Sequence, residues 1–333
     1  MSANITTKSH LKRKRWPWFV TLSAAFVMWL VSCCISYYGD PEAIFWRQVF
    51  EDQNKRAHAA RIKADDKPII FVGGGSSCSF SIHADVLTET TGLQAVNLGG
   101  SAGMGYRFLI DLATRHAKRG DIVILHLEPE IFQEHSKKTS PLGIKIDLPS
   151  GVFQNGHGAY LGNLYEEPIK EKIKALKPGA QFFGVLAAKV ARRGPMYRYQ
   201  INEIRENGSL SIKVAEPNTD IEPFKEMTSW AKTKGIQSEL EWLAQYAQEN
   251  DIQIFFTLPW ESYRNEALEK QRAEHARYLD EIEKKLPVLR DEMMGAVGDN
   301  SLFLDSGFHM TTKGGLLRSR ALGESLNFAL STQ

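Results

Sequence analysis

Apolar positions along this chain fall into three kinds of run. The first is a single long one. From Trp16 to Tyr38 the sequence WPWFVTLSAAFVMWLVSCCISYY holds no charged residue, and roughly 20 such residues suffice to span a bilayer. The second kind is short, four to seven apolar residues ending in turn formers: KPIIFVG at 67–73, LQAVNLG at 93–99, GDIVILHLE at 120–128, DIQIFFTLP at 251–259 and SLFLD at 301–305. Runs of this length bounded by glycine and proline predict buried strands. The third kind repeats at helical spacing. It predicts a short helix at 83–92 closed by Gly92, and helices over 104–119, about 223–249 (Ile236, Leu240, Leu243 and Ala247 on one face), 263–286 and Thr311–Ala329. Apolar strands alternating with amphipathic helices imply a parallel sheet covered on both faces. The expected fold class is therefore α/β, three layers around about five parallel strands, preceded by one N-terminal transmembrane helix.

Two segments break the rhythm. Residues 41–63, PEAIFWRQVFEDQNKRAHAARIK, predict a juxtamembrane helix, and 132–222 is a long insertion rich in Gly, Pro and Lys. The insertion contains one apolar stretch, 180–193, expected to be a helix packed within it. The organisation read from these patterns is a basic tail at 1–15, an anchor at 16–38, a juxtamembrane helix or linker at 39–66, and an α/β domain at 67–333 interrupted at 132–222.

Charge orients the anchor. Lys12, Arg13, Lys14 and Arg15 precede the long run, and Asp40 and Glu42 follow it. By the positive-inside rule the N-terminus stays in the cytoplasm and the main domain is exported. Trp16, Trp18, Tyr37 and Tyr38 stand at the two ends, at headgroup level. The expected location is the inner (cytoplasmic) membrane, single-pass, with the main domain periplasmic or extracellular. A cleaved signal peptide and lipidation at Cys33 in LVSC are the alternatives, and all three readings export the rest. The net charge of +2 argues against nucleic acid as a partner. Of three cysteines, Cys33 and Cys34 lie in the apolar run, so Cys78 has no disulfide partner in the exported part. His83, His116 and His126 have no metal-ligand spacing with partners, and no cofactor is expected.

In an open α/β sheet ligands gather at the carboxyl ends of the strands. Here those ends read GGGSSCS, NLGGSAGMG, LEPE, LPWE and DSGFH. A phosphate-binding loop would need G-x-x-x-x-G-K-[ST], and a dinucleotide turn G-x-G-x-x-G; neither is present. A serine nucleophile would need a base and a group to orient it. Asp305 and His309, in FLDSGFHMTTKGG just before the last helix, offer that pair.

The order of these blocks resembles the SGNH (GDSL-like) hydrolase superfamily, and more narrowly its membrane-anchored, exported members linked to bacterial cell-surface polysaccharide acylation. The resemblance covers about 67–130 and 250–330. It implies Ser76 as nucleophile, with Ser77 the nearest competitor, His309 as general base and Asp305 as its orienting acid. Backbone donors at Ser76 and Gly99, with Asn97 as a substitute side-chain donor, would hold the oxyanion. The family's usual Asn after the third strand is replaced by Glu128, with Glu130 nearby, and both are expected to line the site. Gly75 stands where many members carry Asp, and the last block is D-x-x-x-H rather than D-x-x-H. The activity the resemblance implies is ester hydrolysis or O-acyl transfer, of acetyl in the family's pattern, on a glycan or acylated sugar. A membrane acyltransferase is the implied partner. A catalytically inactive scaffold subunit of the same fold is the alternative.

Overall fold

The computed structural model describes residues 8–132, 201–210 and 237–332, together with positions 142, 187, 190, 191, 199 and 223. Most of the insertion, including the predicted helix at 180–193 but for three positions, and the start of the helix predicted from 223 lie outside the described residues.

A helix α1 (Lys8–Tyr38) carries the long apolar run, and within it Trp16–Ile35 is long and apolar enough to cross a membrane. Its large apolar side chains, Trp18, Phe19 and Met28 among them, are exposed. Only Gly39 and Asp40 separate it from α2 (Pro41–Ala64), which Asp40 caps by accepting from the N–H groups of Glu42 and Ala43, with Pro41 at the first helical position.

Then the strands and helices alternate: β1 (Ile69–Gly74), α3 (Ser76–Ser81), α4 (Ala84–Thr91), β2 (Gln94–Gly99), α5 (Tyr106–Thr114) and β3 (Ile122–His126). After the insertion come α6 (Gln237–Asn250), β4 (Gln253–Thr257), a two-residue strand β5 (Glu261–Ser262), α7 (Leu268–Glu283), its partner β6 (Ala296–Val297) and the C-terminal α8 (Thr312–Ser331). The main sheet has four strands in the order β2-β1-β3-β4, every pair parallel. Side chains on a strand alternate between faces. Ile69 and Phe71 accordingly join one core with residues of α2, α5, α6 and α7, whereas Ile70 and Val72 join the other with Cys78, Leu87, Leu322 and Leu326 of α3, α4 and α8. These are the expected three layers.

The predicted fifth strand is not formed at 301–305. That segment is a 3-10 turn, Asn300–Leu302, followed by a hairpin with a single antiparallel bridge, Phe303 to Met310. Its backbone groups are satisfied inside the hairpin: Leu304 N–H donates to His309 C=O (2.7 Å) and Thr311 N–H to Leu302 C=O (2.8 Å). The open edge of β4 is covered instead by 287–289. Phe256 N–H donates to Pro287 C=O and Leu289 N–H to Phe256 C=O, both at 2.8 Å. A proline, which has no N–H to give, keeps this addition to one bridge at Val288.

The helix expected over 41–63 forms as α2, and Ala43, Trp46, Phe50, Ala57 and Ala60 bury it in the larger core of the domain.

Candidate active site

Gly74, Gly99 and His126 end three adjacent strands in register. The chain leaves β1 through Gly73, Gly74 and Gly75, and space explains all three glycines. A Cβ on Gly73 would lie 2.3 Å from Ala113 Cβ of α5, one on Gly74 1.9 Å from His126 O, and one on Gly75 2.8 and 2.9 Å from the Glu128 carboxylate oxygens. The sharp exit turns straight into α3, whose first residue is Ser76.

Asp305 and His309 arrive from the far end of the chain on the hairpin described above. Ser262, just beyond β4, pins the tip by donating its N–H to Gly307 C=O (2.7 Å). The four-residue spacing spans the hairpin loop, so the two side chains meet across it. His309 Nδ1 lies 2.7 Å from Asp305 Oδ1, and His309 Nε2 lies 2.9 Å from Ser76 Oγ. An ionised carboxylate only accepts, so Nδ1 carries the proton and Nε2 accepts from the serine hydroxyl. Asp305 also receives a second hydrogen bond, from Tyr199 Oη to Oδ2 at 3.3 Å. Phe80 stacks on the imidazole at 4.3 Å between ring centres, and Phe308 meets its edge at 4.8 Å. The imidazole is therefore fixed in tautomer, by Asp305, and in plane, by the two rings.

Ser76 and not Ser77 faces this pair: Ser77 is fully buried and its hydroxyl has no hydrogen-bond partner. The expected oxyanion donors need correcting. Gly99 N–H donates to Asn97 Oδ1 at 2.8 Å, and the Asn97 amide donates to Ile82 C=O (2.8 Å) and Cys78 C=O (3.2 Å). The Gly99 bond lies within β2 and the Asn97 amide ties β2 to α3 and its C-terminal end, so both donors are already used. Among the described residues, backbone N–H groups in the first turn of α3, including that of Ser76 itself, have no intrahelical acceptor.

Glu128 is buried directly behind the Gly75–Ser76 turn, its carboxylate against Gly75. The side chain of Glu130 lies outside the described residues. Burial pushes the Cys78 thiol well up, Glu128 adding to the effect, so it stays a protonated small side chain. Burial, helped by the buried Arg318 guanidinium, pushes the His126 imidazole well down and keeps it neutral. Arg318 itself is held by Asp291 Oδ2 (3.1 Å), Thr257 Oγ1 and Leu258 C=O (both 2.9 Å) beneath the same edge. Among the described residues no cluster of His, Cys, Asp and Glu is arranged to hold a metal ion.

Three contributors have no signature in the sequence. Tyr199 comes from the insertion. Phe80 reads only as a core residue one turn beyond Ser76. Gln53 of α2 donates to Gly99 C=O at 2.7 Å and so ties the end of β2 to the helix that follows α1. Compared with known proteins, the chain matches no protein-family model and no curated protein.

Proposed function

We propose that this chain is an exported, membrane-anchored serine esterase or O-acyltransferase of the SGNH type. The observation that carries the reading is the continuous relay from Ser76 Oγ through His309 to Asp305, at 2.9 and 2.7 Å, on the carboxyl edge of a parallel sheet. Ser76 Oγ attacks an ester carbonyl as its proton passes to His309 Nε2. The tetrahedral oxyanion is held by N–H groups of the first turn of α3. The leaving alcohol takes the proton from His309, leaving an acyl-serine. Water or a sugar hydroxyl, deprotonated by the same imidazole, then takes the acyl group. Hydrolysis and transfer differ only in that acceptor.

The acetyl group, the glycan acceptor or donor, and a membrane acyltransferase as partner follow from the resemblance of the motif order. The export of the domain follows from the basic flank of α1. A fluorophosphonate probe tests the core of the reading on the full-length chain in detergent. Labelling of the wild type, lost in both Ser76→Ala and His309→Ala, is the expected result. A folded wild type that takes no label would favour the scaffold reading instead.

A further inference from the structure

The direction of α2 fixes which edge of the sheet is nearest the membrane helix. Early in α2, the Phe45 ring packs against Tyr199 with centres 6.2 Å apart, and Tyr199 bonds Asp305 of the relay. Midway, Gln53 donates to Gly99 C=O at the carboxyl end of β2. Near its end, Arg61 pairs with Asp121, just before β3 begins. The helix therefore runs antiparallel to the strands. Its first turn stands beyond the carboxyl edge, which carries Ser76 and His309, and its last turn lies at the opposite edge. That first turn follows α1 after two residues, Gly39 and Asp40. With α1 continuing on the side from which α2 enters the domain, the carboxyl edge is the one close to the bilayer. Pro41 precedes Gln53 by twelve residues, which is about 18 Å of helix at 1.5 Å per residue.

We propose that the site faces the membrane and that its ester is carried by a molecule itself attached to the bilayer, a glycan or carrier projecting about 20 Å from the surface. The substrate class rests on the acyl chemistry proposed above; the orientation does not. Burial of α2 in the core leaves only Gly39 and Asp40 between the domain and α1. So short a tether raises the effective concentration of surface-bound substrate within its reach and does nothing for a dissolved one.

The test uses the full-length chain in phospholipid vesicles, with Cys33 and Cys34 replaced by serine. One arm reads geometry without catalysis. A fluorophore is placed on Gly103→Cys, exposed at the carboxyl edge, or on Lys67→Cys, exposed at the opposite edge, and is quenched by headgroup-labelled lipid. The expected result is stronger quenching at 103, since β1, six residues long, holds the two edges roughly 20 Å apart. Equal quenching, stronger quenching at 67, or a chain that washes off the vesicles would overturn the proposal. The second arm compares 4-methylumbelliferyl acetate in solution with the same acetate tethered to a vesicle lipid by a spacer of about 20 Å. Four EAAAK repeats inserted between Tyr38 and Gly39 would lift the site by about 30 Å. At least a tenfold loss on the tethered ester, with the soluble ester within about twofold, is expected; loss on neither would overturn the substrate class. If the wild type turns over neither ester, the acyl reading fails while the quenching arm still decides the orientation.

Discussion

Gly75→Ala isolates the fit between the nucleophile turn and Glu128. Gly75 has φ −74° and ψ −159°, extended backbone open to any residue. Alanine there meets no conformational barrier, and its cost is purely steric. The new methyl would lie 2.8, 2.9 and 3.2 Å from Oε2, Oε1 and Cδ of Glu128, and these are its three nearest neighbours. Ordinary contact begins at 3.4 Å, so the carboxylate or the turn has to move by about half an ångström. Overpacking of this kind costs about 1–3 kcal/mol. The same displacement would move Ser76 Oγ relative to His309, and a misplacement approaching 1 Å costs about 100-fold in rate. We expect Gly75→Ala to lower the urea midpoint accordingly and to slow fluorophosphonate labelling about 10- to 100-fold. Adding Glu128→Ala removes the obstacle, so the double variant should lose less than the sum of the single variants, by at least about 1 kcal/mol. Additive losses, or a Gly75→Ala variant as stable and reactive as wild type, would refute the steric account.

Other predictions address the relay and the buried histidines. Asp305→Asn keeps the shape but favours the imidazole tautomer that cannot accept from Ser76, and labelling should slow by about 10³- to 10⁴-fold; a loss under tenfold would remove Asp305 from its role. Tyr199→Phe removes one donor to Asp305 and keeps the ring against Phe80 and Phe45, so labelling should slow by about tenfold or less, whereas Tyr199→Ala should lose more. Burial, with nearby arginines, pushes His83 and His116 down to about 4, and His126 falls well below its ordinary value. The native state then holds these rings neutral while the unfolded chain protonates them below about pH 6.5. Their contribution is complete above that pH and is lost as pH falls toward 4, by up to about 1.4 kcal/mol per pH unit for each ring. Urea midpoints that stay level between pH 7.5 and 5 would contradict this.

The four central strands are legible in sequence because each is buried on both faces and reads as a short apolar run closed by Gly, Pro or an acidic residue. SLFLD at 301–305 has the same look, but composition cannot reveal that its backbone bonds close within its own hairpin, nor that a Pro-containing segment at 287–289 takes the open edge of β4. The residues of the relay are legible because chemistry restricts them: a serine after a glycine turn needs an imidazole, and the imidazole needs an acceptor. The Gly99 N–H and the Asn97 amide, expected as oxyanion donors, are used elsewhere: the first in a local bond to Asn97 Oδ1, the second on Cys78 and Ile82 C=O. The amide's partners depend on how β2 packs against α3, which no spacing records. The place of α2 is hidden as well, because its charged face resembles a solvated linker while Trp46, Phe50 and Gln53 lie buried.

The most direct measurement is peptide mapping of the full-length chain after brief incubation with p-nitrophenyl acetate and an acid quench. The expected result is an acetyl group on Ser76, absent from His309→Ala. No acetylated peptide from a folded protein, or an acetyl group on another residue that survives the loss of His309, would contradict it.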